Sequence, residues 1–360
     1  MKFFNLFKLS HRELDYNRLT SQLKAMAFIL KRGNIHGQFV DRLKWHVAPR
    51  FFYVVSFPTH VDIEAAVSCQ LKCPMCLRHT MPSQLMHGVM DFELFKKIVD
   101  EISKEKVYSI KLSWRGEPLL NPNIVRMVEY AKKKDIKDVA FLTNGERLNQ
   151  DLAEALVDAG LDWISFSIDG LNENYEKIRF PETFENIVKK VMILKKYRDK
   201  KNRKKPLIRV QTIWGAIKNY PETYFQFWEN IADKVYVIAD QARGDIVDFP
   251  RVKNYICRVP WQRIVVGWNG IVPQCITDYS EVNVLGDVKK ETLREIWHGK
   301  KFKQLRMSIK EGKIYDNKAC LVCHDTGVMY EKKVDIGKKV IKINLYRGQE
   351  FDIAKISDKR

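Results

Sequence analysis

The sequence predicts an α/β fold built on a parallel sheet, and three observations carry that prediction. From about residue 59, six short apolar runs (60–66, Val107–Ser113, Val139–Thr143, Trp163–Ile168, Leu207–Ile213 and Val235–Ala239) alternate with five longer stretches at 91–104, 122–134, 148–159, 183–199 and 221–232. The longer stretches repeat apolar residues at helical spacing, as in Phe92, Phe95, Ile98, Val99 and Ile102, or Ile124, Met127, Val128 and Ala131. The short runs read as strands of the buried type that parallel sheets use. Strand–helix–strand units of this kind imply right-handed crossovers, and either an open barrel or a doubly wound sheet satisfies the pattern.

The expected division is a helical, basic leader over 1–58, the sheet domain over 59–245, a small cysteine-bearing domain over 246–330 and a basic tail over 331–360. Within the leader, Leu14, Leu19, Leu23, Met26, Phe28 and Leu30 form a loosely amphipathic pattern, with Lys24, Lys31 and Arg32 nearby. Such a helix suits packing on the following domain, and leaves room for peripheral contact with a membrane surface. The tail run Val334–Ile343 reads equally as an edge strand or as a disordered arm.

With 360 residues, 45% hydrophobic and 30% charged, the chain has the composition of a globular protein with a sizeable core. No apolar run reaches the length of a membrane span, and the first residues are too polar for a signal peptide. Seven cysteines without a secretory signal point to free thiols in a reducing compartment, the cytoplasm. The formal charge of +19 permits attraction to anions. The densest basic run, Lys195–Lys205, has few aromatics and no nucleic-acid module around it, so a solvated helix end is the favoured reading and nucleic acid is not.

Three cysteines stand together in Cys69-Gln70-Leu71-Lys72-Cys73-Pro74-Met75-Cys76, just after the first strand. Three thiolates on one loop can converge on a common centre but cannot close a four-ligand site. On a 4Fe–4S cubane they leave one iron open, and an open position marks a reactive metal site. This Cys-x3-Cys-x2-Cys run resembles the signature of the radical S-adenosylmethionine (SAM) superfamily. The resemblance implies a partial (β/α)6 TIM-like barrel whose open iron chelates SAM. One electron then splits SAM into methionine and a 5′-deoxyadenosyl radical. In this reading Cys69, Cys73 and Cys76 are cluster ligands and the catalytic centre.

Other elements of the same resemblance fall at strand ends, where parallel barrels gather their chemistry. Arg115-Gly116-Glu117-Pro118 is similar to the "GGEP" element, with Arg115 in place of the first glycine. By that likeness Gly116 and Glu117 receive the SAM ammonium. Asn144, in Thr143-Asn144-Gly145, falls near the ribose and adenine. Ser167, in Ser167-Ile168-Asp169-Gly170, contacts SAM, and Arg179 pairs with its carboxylate, for which an arginine fork is well shaped. Met75 occupies a position beside adenine that is often aromatic.

The other four cysteines, Cys257, Cys275, Cys320 and Cys323, lie beyond the sixth strand. Asn269-Gly270 is a strong hairpin signal that would put Cys275 on the return strand. Leu285-Gly286-Asp287-Val288 reads as a turn before a helix at Leu293–Trp297. This arrangement resembles the SPASM C-terminal domain in its shortened "twitch" form, which holds one auxiliary cluster. A full SPASM domain carries more cysteines, and none are left. Four thiolates also suit a closed tetrahedral zinc site, and spacing does not exclude it.

Together the two resemblances imply an enzyme with two 4Fe–4S clusters and SAM, reduced by a flavodoxin or ferredoxin. It would oxidise or otherwise modify a small-molecule or glycan substrate by hydrogen abstraction, with the auxiliary cluster as electron acceptor. A peptide maturase or an epimerase is the alternative, although residues 1–58 carry no sign of a leader-peptide recognition domain. A non-catalytic iron–sulfur electron carrier is the alternative of another class. Glu117, Ser167 and Arg179 speak against it, because an electron carrier needs no SAM pocket.

Overall fold

The computed structural model describes residues 35–241, 248–337 and 340–349. The amphipathic pattern expected over 12–31 lies outside the described residues. Within the segment expected to be a helical leader, α1 (Ile35–Val47) precedes the first strand. No helix among the described residues is long and apolar enough to cross a membrane.

The sheet domain proceeds as β1 (His60–Ile63), α2 (Phe92–Lys104), β2 (Ser109–Lys111), α3 (Ile124–Lys133), β3 (Asp138–Thr143), α4 (Gln150–Asp158) and β4 (Trp163–Ser167). There follow α5 (Asn172–Arg179), α6 (Phe184–Lys200), β5 (Leu207–Ile213), α7 (Pro221–Glu229) and β6 (Lys234–Ile238). Each expected strand and helix from 60 to 239 is present, with ends shifted by a few residues. Local chemistry starts the helices. The Asp91 carboxylate accepts from the amides of Glu93 and Leu94 at 2.9 and 3.0 Å, and Asn149 accepts from Leu152 N at 2.8 Å. The predicted apolar stripe of α2 is buried, Phe95, Ile98, Val99 and Ile102 being at most 1% exposed.

The strands lie in the order β6-β5-β4-β3-β2-β1 and every pairing is parallel. This is the partial barrel. A seventh strand, β7 (Arg263–Val266), pairs parallel to the outer side of β1 with Val61 opposite Ile264. It comes from the segment expected to form the separate 246–330 domain, so that segment is built into the barrel's sheet.

The rest of this segment holds β8 (Ile271–Pro273), β9 (Val284–Asp287), α8 (Leu293–His298), α9 (Lys300–Lys310) and α10 (Lys318–Leu321). Two expectations are corrected here. Asn269-Gly270 does turn the chain, with Gly267 N bonded to Ile271 O at 2.8 Å, but β8 pairs with β9 and ends at Pro273, so Cys275 lies in the loop beyond the strand. Leu285–Asp287 is strand, not turn. Gly286 is there because its missing Cβ would sit 2.6 Å from Ile296 of α8. Helix α8 starts on a capping box of Thr292 and Glu295, and Glu101 of α2 also accepts from the amides of Leu293 and Arg294, both at 2.9 Å.

The described part of the expected tail is largely strand. An antiparallel hairpin of β10 (Met329–Asp335) and β11 (Val340–Tyr346) begins inside the expected 246–330 domain and crosses into the expected tail. Ile341, Ile343 and Leu345 are buried in the main core.

Candidate active site

The loop after β1 carries Cys69, Cys73 and Cys76, and several bonds fix its shape. Cys76 N donates to Cys73 O at 2.9 Å, and Glu117 N, in the loop after β2, donates to Ser68 O at 2.8 Å. The buried Arg78 guanidinium donates to Val67 O at 2.9 Å and also to Met86 O. Gly116 presses on this loop. A Cβ there would lie 2.4 Å from the Val67 backbone and 2.5 Å from Ala66 O, so any side chain would displace the segment leading to Cys69. Its close approach is to protein backbone.

Above the strand ends lies a pocket of about 270 Å³. All nine residues assigned from the sequence to the cluster and SAM line it: the three cysteines, Met75, Gly116, Glu117, Asn144, Ser167 and Arg179. The Cys73 thiol is pushed up to about 12 by burial, with the Arg179 charge opposing. Burial likewise raises Cys69. Buried thiols of this kind need a metal to ionise. The Asn144 amide points at Cys69 Sγ from 3.7 Å.

The two assigned residues that carry charge, Glu117 and Arg179, already hold protein partners. Glu117 accepts from Leu119 N at 3.0 Å and from Thr143 Oγ1 and Asn144 N, both at 2.6 Å. Burial outweighs these bonds and pushes its carboxyl up to about 7. Such a carboxylate is in want of a cation. The Arg179 guanidinium donates to Asp169 Oδ2, which also lines the pocket, and Asp169 Oδ1 accepts from Ile213 N at 2.9 Å.

The sequence reading missed a group at the barrel mouth. Arg115 is wholly buried and grips Glu64, just past β1, through Nε at 2.8 Å and Nη2 at 2.6 Å. It also reaches Glu281 Oε1 at 2.9 Å and Tyr279 O at 2.9 Å. Trp114 donates to Ile276 O at 2.7 Å and stacks on Tyr279 at 6.2 Å between ring centroids. The loop that starts at Cys275 thus forms part of the pocket wall. Its only signal in the sequence was the arginine where the family pattern has glycine.

Cys275, Cys320 and Cys323 gather around two polar side chains. The Thr277 hydroxyl lies 3.1 Å from Cys275 Sγ and 3.5 Å from Cys323 Sγ, and Gln274 Nε2 donates to Cys320 Sγ at 3.4 Å. Cys257 joins them: its thiol is pushed well up by burial and then by Cys275 and Cys323. The Cys320 thiol is pushed to about 12, chiefly by burial. Among the described residues no three His, Cys, Asp or Glu side chains stand close enough to hold a single ion. In a cubane each of the four thiolates would take a different iron. A cavity of about 130 Å³ is lined by Leu77 and Thr80, which follow the first cysteine group, and by Thr277 and Cys323 of the second segment.

Comparison with known proteins agrees with this division. The family model described as the radical SAM superfamily matches residues 63–203, and the model of an iron–sulfur cluster-binding domain, SPASM, matches residues 257–324. The first range holds the three-cysteine loop and the second holds the other four. The tungsten-containing aldehyde ferredoxin oxidoreductase cofactor-modifying protein of Pyrococcus furiosus is 29% identical over 156 residues, 43% of this chain and 43% of that protein. A probable GTP 3′,8-cyclase of Methanococcus maripaludis is 38% identical over 123 residues, 34% of this chain and 40% of that protein. The chain therefore spans about two fifths of the length of these curated relatives.

Among solved structures, BtrN in complex with AdoMet and 2-DOIA superposes with a TM-score of 0.53 at 18% identity, over 76% of this chain and 95% of that one. Native anSMEcpe with bound AdoMet gives 0.52 at 17% identity, over 68% and 82%. At such identities these likenesses speak for the fold alone. The residues on the first loop fit three corners of a 4Fe–4S cluster with SAM beside it, and the C-terminal four fit a further cluster. This chain carries a radical SAM superfamily domain over residues 63–203 and a SPASM iron–sulfur cluster-binding domain over residues 257–324.

Proposed function

We propose that the enzyme carries out a net two-electron oxidation of a substrate held at the barrel mouth, with the C-terminal cluster as electron acceptor. One observation carries this reading. The loop beginning at Cys275 runs directly into the active-site wall, where Ile276 O and Tyr279 O are bonded to Trp114 and Arg115. When bound, the first cluster and SAM supply a 5′-deoxyadenosyl radical for hydrogen abstraction, and the second cluster supplies a sink for one electron.

The chain's own residues then have defined tasks. Cys69, Cys73 and Cys76 hold the first cluster in the twitch-like division of ligands, and Cys257, Cys275, Cys320 and Cys323 hold the second. Glu117 offers a buried negative charge to the SAM ammonium. The Arg179 fork, steadied by Asp169, offers donors to its carboxylate, and Ser167 and Asn144 stand along the same pocket wall. Met75 and Leu71 give it apolar surface. Tyr279 and Trp114 cover the mouth and keep water from the reacting carbon.

All seven cysteines are assigned to clusters, so no thiol is left to return a hydrogen atom to the substrate. A second reading, epimerisation, draws on Tyr279, which lines both this pocket and the cavity beneath it. Its phenol would be the hydrogen donor. Turnover in deuterated water separates the two. The oxidative reading expects a product two hydrogens poorer than the substrate. An isomeric product bearing one carbon-bound solvent deuterium, lost in Tyr279→Phe, would replace it with epimerisation. Absence of 5′-deoxyadenosine from fully loaded, dithionite-reduced protein would instead favour an electron carrier.

A further inference from the structure

Beneath the SAM pocket, along the barrel axis, lies a second cavity of about 350 Å³ that shares Lys111, Trp114, Gln211 and Tyr279 with it. A parallel barrel is ordinarily filled at this level by branched aliphatic side chains. Here the inward positions are different. Lys111 comes from β2, Arg209 from β5 and Arg263 from β7, with Arg42 of α1 closing the floor. The rings of Trp45, Trp163 and Tyr236 form much of the wall. The β10–β11 hairpin contributes Met329, Asn344 and Tyr346 to the wall.

Among the described residues, four side chains of fixed positive charge and one carboxylate, that of Asp41, line the cavity. Asp62 stands behind the lining, 2.7 Å from Lys111 Nζ and 3.3 Å from Arg263 Nη1, and it is wholly buried. Asp62 is thus shared between the two cations. Arg263 Nε is buried with no hydrogen-bond acceptor among the described residues. Arg209 is held in place by Ser165 Oγ at 2.9 Å and lies 4.7 Å over the Trp163 ring and 5.0 Å over the Tyr236 ring. Such bracing keeps a guanidinium ready for a planar anion. The volume suits a small molecule and not a folded partner.

We propose that this cavity is an anion site, and that it selects a small substrate bearing a phosphate or carboxylate group on a ring body. The anionic end would seat among Lys111, Arg209 and Arg263, and the ring between the aromatic walls. The opposite end would then point to the shared mouth at Tyr279. Calling the ligand the substrate rests on the radical SAM reading above; the anion site does not.

The test is calorimetric titration of the anaerobic, iron-loaded protein, with and without SAM, using inorganic pyrophosphate, citrate and glucose. We expect pyrophosphate or citrate to bind once per chain, the stronger of the two naming the phosphate or carboxylate class, and glucose not to bind. Arg209→Gln and Lys111→Gln should each weaken that binding about tenfold, the loss of one charge-assisted contact. Lys189→Gln, on the exposed face of α6, should not. Failure of both anions to bind, or binding unchanged in both inner variants, overturns the site. SAM binding on the same samples reports separately on the radical SAM reading, because the anion result stands whatever SAM does.

Discussion

Arg115 and Glu64 form a buried fork, Nε to Oε1 at 2.8 Å and Nη2 to Oε2 at 2.6 Å, that ties the end of β2 to the end of β1. The same guanidinium holds Glu281 and the Tyr279 carbonyl of the C-terminal segment. One side chain therefore fixes the barrel mouth and the loop that leaves Cys275. Removing it strands two buried carboxylates. Arg115→Met should cost about 3–5 kcal/mol of unfolding free energy, measured in urea. It should also release iron from the C-terminal group before the barrel group on dilution into chelator. Loss of stability with both groups equally retentive would show that Arg115 supports the fold without linking the sites.

Iron content gives the second prediction. Anaerobically loaded protein should hold about eight irons, four per cubane. Replacing Cys69, Cys73 and Cys76 with Ala should remove about half, and replacing the C-terminal four should remove the other half. Zinc retained at Cys257, Cys275, Cys320 and Cys323, with a single cubane by Mössbauer spectroscopy, would refute the second cluster.

SAM binding gives the third. Arg179→Ala removes the fork expected to face the SAM carboxylate and should raise the SAM Kd about tenfold or more. Because Asp169 loses its partner in that variant, Arg179→Lys serves as the control. It keeps the Asp169 charge paired but not the bidentate geometry, and should remain weaker than wild type. Wild-type affinity in both variants would remove Arg179 from the SAM site.

The fourth concerns pH. Although burial opposes it, Lys111 and then Arg263 hold the Asp62 carboxyl well below its ordinary 3.8. A depressed carboxylate contributes stability that is fully present above the unfolded value and is lost as pH falls through the folded one. Asp62→Asn should therefore cost about 3 kcal/mol at neutral pH, and the difference from wild type should narrow steadily below about pH 4. A gap independent of pH would mean that the Asn side chain fails on shape and not on charge.

Much of the fold and of the site could be read from the residues alone. Alternation of apolar runs with helical repeats is a local signal, because each strand and helix buries its own stripe. The six β/α units from β1 to β6 follow from it. The cysteine spacing and the residues at the strand ends are local too. A parallel barrel carries such ends to one rim, which is why nine residues spread from 69 to 179 meet at one pocket.

What the sequence could not decide depends on partners far apart in the chain. Glu64 and Arg115 are 51 residues apart, and neither has a pattern that names the other. Strand β7 has too few residues to announce which sheet edge it will join, and finds β1 only once the barrel offers an open edge. Gly286 reads as a turn until Ile296 is packed over it. The cationic cavity was also out of reach, since Lys111, Arg209 and Arg263 are ordinary basic residues in a chain with 63 of them. Only closing the strands around one axis turns those three toward a common space.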